Sequence, residues 1–183
     1  MIRYLLAFLA LVVAHPAGAT EAGWALLRDG GHVVLMRHAY AQGMAEPSTF
    51  DIEKCNTQRR LSDRGKQQAR RIGSLIAARA APTEKVLSSR LCRALETADI
   101  AFGRDVEPLP ALDPPIGDTP LPAEARTELM DLIAAYSDSG NMILVTDLKV
   151  IEALTGQGAR EGEAVIVRPD GETLHVMARI VFN

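Results

Sequence analysis

The sequence predicts an α/β fold: a three-layer sandwich with a mainly parallel sheet and helices on both faces. Two observations carry that expectation. Short apolar runs such as Val33-Val34-Leu35-Met36 and Met142-Ile143-Leu144-Val145 read as buried strands. Between them lie segments with apolar residues at helical spacing, of which Ala69, Ile72, Leu75 and Ile76 are the clearest. At 183 residues the chain suits one such domain, without repeats or low-complexity tracts.

The elements follow in order. Glu21 to Arg28 reads as a short helix stopped by Asp29-Gly30-Gly31, and His32 to Arg37 as the first strand. Ala39 to Gln58 is a polar loop with Gly43 and Pro47, longer than most connections. Ser62 is a credible N-cap, with Asp63 favouring the positive end of a helix that runs to about Ala80. Lys85 to Ser88 is a second strand and Leu91 to Phe102 a second long helix. Val106 to Pro122 is too rich in proline to be regular throughout. Ala123 to Tyr136 returns to helix, and Asn141 to Val145 is a strand. A short helix then runs to Leu154 and ends at Gly156. Ala164 to Arg168 and Thr173 to Ile180 are strands joined as a hairpin at Pro169-Asp170-Gly171.

Residues 1–19 are set apart from the domain at 20–183. A basic start at Arg3, an apolar run from Tyr4 to Ala14 and a small-residue Ala17-Gly18-Ala19 pattern form a secretory leader. The apolar run is shorter than the ~18 residues of a membrane span, so no stable membrane insertion is expected after cleavage; an uncleaved amphipathic anchor is the alternative. The protein is accordingly expected to be secreted or periplasmic. Formal charge is −3 overall, with no basic run or aromatic platform, which argues against nucleic acid as a partner. Cys55 and Cys92 are an even pair for an oxidising compartment, either a disulfide or two buried thiols. No CxxC or neighbouring His accompanies them, and no metal or other cofactor is expected.

The chemistry begins at Arg37-His38-Ala39. A strand end at a sheet edge is where open α/β folds place ligands. Arg offers a planar fork for phosphate oxygens, and imidazole is a nucleophile toward phosphorus. Arg37-His38-Ala39 resembles the Arg-His-Gly signature of the histidine phosphatase superfamily, the phosphoglycerate mutase-like proteins. Ser88-Ser89-x-Leu91-x-Arg93-Ala94-x-x-Thr97-Ala98 is similar to that family's second signature, and Arg59-Arg60-Leu61-Ser62-Asp63-Arg64-Gly65 to the opening of its first long helix. The resemblance implies a phosphomonoesterase with His38 as nucleophile and Arg37 and Arg93 as phosphate clamp. Arg59 either reaches the phosphate or pairs with acids of the Ala39 to Lys54 loop. Ser88 either adds a hydroxyl near the pocket or caps the strand-to-helix turn. The leaving-group acid would come from the segment after the second helix, where Asp113, Asp118 and Glu124 are candidates and Asp118 is preferred. The leader, small size and Cys-bearing signatures also resemble the lipopolysaccharide core heptose phosphate phosphatase group. A phosphorylated small molecule or an envelope glycan is then the expected partner.

One position departs from the family pattern. A later strand there ends in Val-Thr-His, whereas this chain reads Val145-Thr146-Asp147. His175, in a C-terminal strand, is a poor replacement for the missing imidazole. Asp147 is a favourable helix N-cap, worth about 0.5–2 kcal/mol. A carboxylate about 4 Å from a unit negative charge meets roughly 4 kcal/mol of repulsion at an effective dielectric near ~20, about a thousandfold in rate. Lys149 could partly offset it. Two functions follow: weakened phosphomonoester hydrolysis through a phosphohistidine at His38, or a degenerate member that binds an anionic ligand or partner protein without turnover.

Overall fold

The computed structural model describes residues 17–103 and 105–182, with side chains from residue 20 onward. The proposed leader at 1–19 lies outside these residues apart from its last three, which open helix α1 (Ala17–Asp29). Strand β1 (Val33–Arg37) follows, then α2 (Asp63–Ala78), β2 (Thr83–Ser88), α3 (Cys92–Phe102) and β3 (Val106–Pro108). The chain continues through α4 (Ala123–Ala135), β4 (Asn141–Thr146), α5 (Leu148–Thr155), β5 (Ala164–Asp170) and β6 (Thr173–Ile180). No described helix is long and apolar enough to cross a membrane.

The six strands form one sheet in the order β3-β2-β4-β1-β5-β6. The first four are parallel; β5 runs antiparallel to β1, and β6 antiparallel to β5. The sheet is therefore mixed, with its antiparallel pairings gathered at one edge. The hairpin turns at Gly171-Glu172, and β5 runs two residues further than expected, because Pro169 and Asp170 still pair with Leu174 and Thr173. Gly171 supplies the positive φ of +61° there. Pro169 stays within β5 because the β1 pairing ends at Val167, leaving its missing N–H on an unpaired side. A short strand inside the proline-rich segment, β3, was not expected from the sequence.

Both faces are covered. Val34 and Met36 of β1, with Ile143 and Val145 of β4, pack against Trp24 and Leu27 of α1, Ile72 of α2 and Ala94 of α3. The intervening Val33, Leu35, Met142 and Leu144 face Leu129 and Ile133 of α4 and Ile151 and Leu154 of α5. The alternation is the period of two that a strand imposes. Because both sets are apolar, β4 is buried along its whole length.

This packing positions the functional residues. The β1–β4 register pairs Arg37 with Thr146, so His38 and Asp147 leave adjacent parallel strands side by side. The His38 amide donates to the Thr146 carbonyl at 3.0 Å, fixing that level. Ser62 caps α2 as expected, accepting from the Gly65 amide at 3.0 Å. Gly65 is required by close approach: a Cβ there would lie 2.0 Å from the Tyr40 carbonyl oxygen.

Candidate active site

His38 is fully buried, and both of its ring nitrogens face oxygen acceptors. Nδ1 lies 2.8 Å from the Ala39 carbonyl, which can only accept, so Nδ1 carries a hydrogen. Nε2 lies 3.2 Å from Oδ2 of Asp147. Burial opposes ionisation of Asp147, but hydrogen bonds and charge from His38 and Arg93 outweigh it and hold the carboxyl well below the usual carboxylate range. An ionised carboxylate also only accepts. Each ring nitrogen of His38 therefore faces an oxygen of its own chain, and Nε2 meets the Asp147 carboxylate.

The same Asp147 oxygen accepts from Nη2 of Arg93 at 2.8 Å, while Asp147 Oδ1 faces the Lys149 amide at 3.4 Å. Asp147 thus caps α5 with one oxygen and joins nucleophile candidate to phosphate-clamp candidate with the other. Arg93, 3% exposed, spends its remaining terminal nitrogen on Glu46 Oε1 at 2.6 Å. Its Nε and that of Arg37 are buried without a hydrogen-bond partner. Arg37 is oriented by one bond from Nη1 to the Ala159 carbonyl, at 2.8 Å. Arg37, Arg93 and Asp147 line one cleft of about 660 Å³. Both Nε atoms are enclosed by protein, so an oxyanion in this cleft would meet the guanidiniums at their terminal nitrogens.

Arg59 also lines the cleft, but its side chain holds the long loop, donating to the carbonyls of Gln42 at 2.9 Å and Gly43 at 2.8 Å. Glu46 accepts from the Arg59 amide at 3.1 Å. Asp118 is exposed and lines the cleft. Asp113 is engaged elsewhere: it accepts from Ser89 Oγ, the Arg90 amide and Arg90 Nε at 2.7–2.8 Å. Glu124 sits exposed in the first turn of α4 and does not line the cleft. Ser88 turns its hydroxyl to the Ser89 carbonyl at 2.9 Å. It is Ser89 that supports the strand-to-helix turn, accepting from the Leu91 amide at 3.1 Å. Lys149 donates its ammonium to the Gly117 carbonyl, so it braces the proline-rich loop.

Cys55 and Cys92 form a disulfide with Cα atoms 5.6 Å apart, tying the long loop to the first residue of α3, next to Arg93. Gln58 strengthens the junction by accepting from the Cys92 amide at 2.9 Å and donating to the Asp51 and Ile52 carbonyls. Thr97 links the signatures, accepting from the Ala39 amide at 3.0 Å while donating to the Arg93 carbonyl at 2.7 Å. Glu46 is the residue that sequence reasoning missed. An acid in a long polar loop carries no local signal for which cation it meets. No group of three or more His, Cys, Asp or Glu arranged to hold a metal occurs among the described residues.

Comparison with known proteins bears on the family and the fold. Residues 33–114 match the model for the histidine phosphatase superfamily (branch 1). No curated protein is similar enough to count as a match. Among solved structures, the protein histidine phosphatase SixA complexed with tungstate is 20% identical with a TM-score of 0.57, over 81% of this chain and 96% of that one. A phosphoserine phosphatase mutant from Entamoeba histolytica in complex with phosphoserine is 15% identical with a TM-score of 0.60, over 83% and 98%. A mycobacterial glucosyl-3-phosphoglycerate phosphatase complexed with VO3 is 17% identical with a TM-score of 0.60, over 80% and 97%. At these identities the structural likeness is one of fold.

Proposed function

We propose, from the match of residues 33–114 to the histidine phosphatase superfamily, that the chain is a phosphomonoesterase of that superfamily held at low turnover by its own Asp147. The observation that carries this reading is the position of the Asp147 carboxylate. It bridges Nε2 of His38 and Nη2 of Arg93, the contacts that a phosphate oxygen would make.

In the proposed reaction, Asp147 first withdraws from His38 and keeps its cap on α5. With Nδ1–H held on the Ala39 carbonyl, the neutral ring attacks phosphorus through the Nε2 lone pair, forming the N–P bond as the ester P–O bond breaks. Arg37 and Arg93 neutralise the equatorial oxygens as charge redistributes. Asp118 is the candidate donor of the proton taken by the leaving alkoxide, because among the three acids considered it alone lines the cleft. Water then hydrolyses the phosphohistidine, releasing inorganic phosphate and regenerating His38.

The substrate class is a phosphorylated small molecule. Solved structures of similar fold carry phosphoserine and oxyanions. A secreted or periplasmic location is supported by the disulfide, which persists in oxidising compartments, and by the leader-like start.

A second reading is favoured by one observation: both terminal nitrogens of Arg93 are already paired, with Glu46 and Asp147. The site then binds an anionic ligand or partner without turnover. Phosphate release from p-nitrophenyl phosphate by the protein and its His38→Ala and Asp147→His variants separates the two. Turnover in the parent, abolished by His38→Ala, is the expected result. A silent parent with a gain in Asp147→His would establish the binding protein. Parent turnover that survives His38→Ala would overturn both readings.

A further inference from the structure

Among the described residues, three large apolar side chains are exposed: Met44 at 99%, Ile116 at 75% and Met177 at 38%. Exposed apolar side chains scattered singly need no explanation. Met44 and Ile116 are not scattered. One comes from the loop after β1, the other from the proline-rich loop after β3, and both line the cleft whose floor holds Arg37, Arg93 and Asp147.

The rest of the wall has the same character, with Pro47, Phe50, Pro115 and Leu148. The polar groups in the cleft are mostly committed to the protein itself. Glu46 pairs with Arg93, Arg59 with the Gln42 and Gly43 carbonyls, and Lys149 with the Gly117 carbonyl. Ser48 and Asp118 are the remaining polar side chains outside the Arg37–Arg93–Asp147 floor. A sugar or polyol would bury hydroxyls against such a wall with few partners, at a cost for each left unmade. At about 660 Å³ the cleft also has room for far more than a phosphoryl group.

We propose that this cleft selects phosphomonoesters of apolar alcohols, aryl or alkyl-chain, with Met44 and Ile116 as the residues that set this preference. The inference rests on the phosphate-site reading above and names the leaving group that site accepts. It also fits the electrostatics. Asp147 weakens the hold on the phosphoryl group, so the leaving group must supply much of the binding, and apolar contact does so without adding charge.

Alkylphosphonates test this without needing turnover, because their C–P bond is not hydrolysed by this chemistry. Methyl-, butyl- and octylphosphonate are titrated calorimetrically into the wild type, Asp147→Asn and the double variant Met44→Ser/Ile116→Ser. Octyltrimethylammonium serves as a control for non-specific adhesion. Each buried methylene is worth up to about fourfold in affinity, so octylphosphonate should bind at least about tenfold more tightly than methylphosphonate. The double variant should lose that gain while holding methylphosphonate equally well. Both substituted side chains are exposed, so folding is not at stake. Naphthyl- against octylphosphonate then tells a ring-accepting wall from a chain-accepting one.

A flat series, a gain that survives in the double variant, or equal binding of the ammonium control would overturn the preference while leaving the phosphate site standing. No binding of any phosphonate, even to Asp147→Asn, would overturn the phosphate-site reading, and the preference with it.

Discussion

Nε2 of His38 and Oδ2 of Asp147 lie 3.2 Å apart at the ends of two neighbouring parallel strands. The nitrogen that would attack phosphorus is thereby occupied by a carboxylate of the same chain. With Nδ1 facing the Ala39 carbonyl, neither ring nitrogen is open to an incoming phosphorus until Asp147 moves. The repulsion that sequence alone suggests is therefore only part of the effect. In the proposed reaction Asp147 would both oppose an incoming phosphate and hold the groups that would receive it.

The Asp147 ion pairs should make stability depend on pH with a definite sign. Its folded-state carboxyl lies below the ordinary value of about 3.9. The stabilisation is therefore fully present above that ordinary value and is lost as pH falls below it toward the depressed one. Denaturant midpoints measured from about pH 5 to about pH 2 should fall more steeply for the wild type than for Asp147→Asn. At neutral pH the variant should be less stable by about 1–3 kcal/mol. Parallel curves would show that the pair does not form in solution.

Glu46→Gln should raise oxyanion affinity, and by less than Asp147→Asn does. Glu46 engages one nitrogen of Arg93 from a side chain 29% exposed, whereas Asp147, 14% exposed, engages both Arg93 and His38. Solvent screens the more exposed charge more strongly. Tungstate titrations should rank Asp147→Asn above Glu46→Gln above the wild type; a reversed order would assign the blocking role to the loop.

Replacing both Cys55 and Cys92 by Ser should lower stability by about 2–4 kcal/mol, as for a bridge closing a loop of this size. Because the bridge ends beside Arg93, oxyanion affinity should fall as well, even where the variant is fully folded. Unchanged affinity in the folded variant would make the bridge a purely global staple.

Gly65→Ala tests the close contact of α2 with the segment after His38. The added Cβ meets backbone, the Tyr40 carbonyl 2.0 Å away, so it cannot be relieved by a rotamer change. A loss of about 1–3 kcal/mol is expected. Gly43→Ala is the comparison at a positive φ of +67° with open space around it, where strain acts without a clash. A Gly65→Ala variant as stable as the wild type would mean that α2 does not pack here.

The fold was legible where apolar patterning is uninterrupted. Asn141 to Val145 was readable as a strand, observed as Asn141–Thr146 and buried throughout, and Ser62-Asp63 as a helix start. Strand β3 was hidden because Pro108 argues against a strand, yet it needs only three pairings at the sheet edge. At the site, local motifs single out His38, Arg37, Arg93 and Asp147 as candidates. What Asp147 touches could not be read, because its bond to His38 joins residues 109 positions apart and depends on the β1–β4 register. Glu46 was unreadable for the same reason, its partner lying 47 positions away.

The most direct test of the central claim is the affinity of vanadate for the wild type and for Asp147→Asn at neutral pH. If Asp147 stands where a phosphate oxygen would, removing its charge should tighten binding by at least about a hundredfold. That is a conservative share of the roughly 4 kcal/mol of repulsion expected at this range. Equal affinities, or tighter binding by the wild type, would mean that the carboxylate is no barrier to the anion and that the occupied site is not what limits this protein.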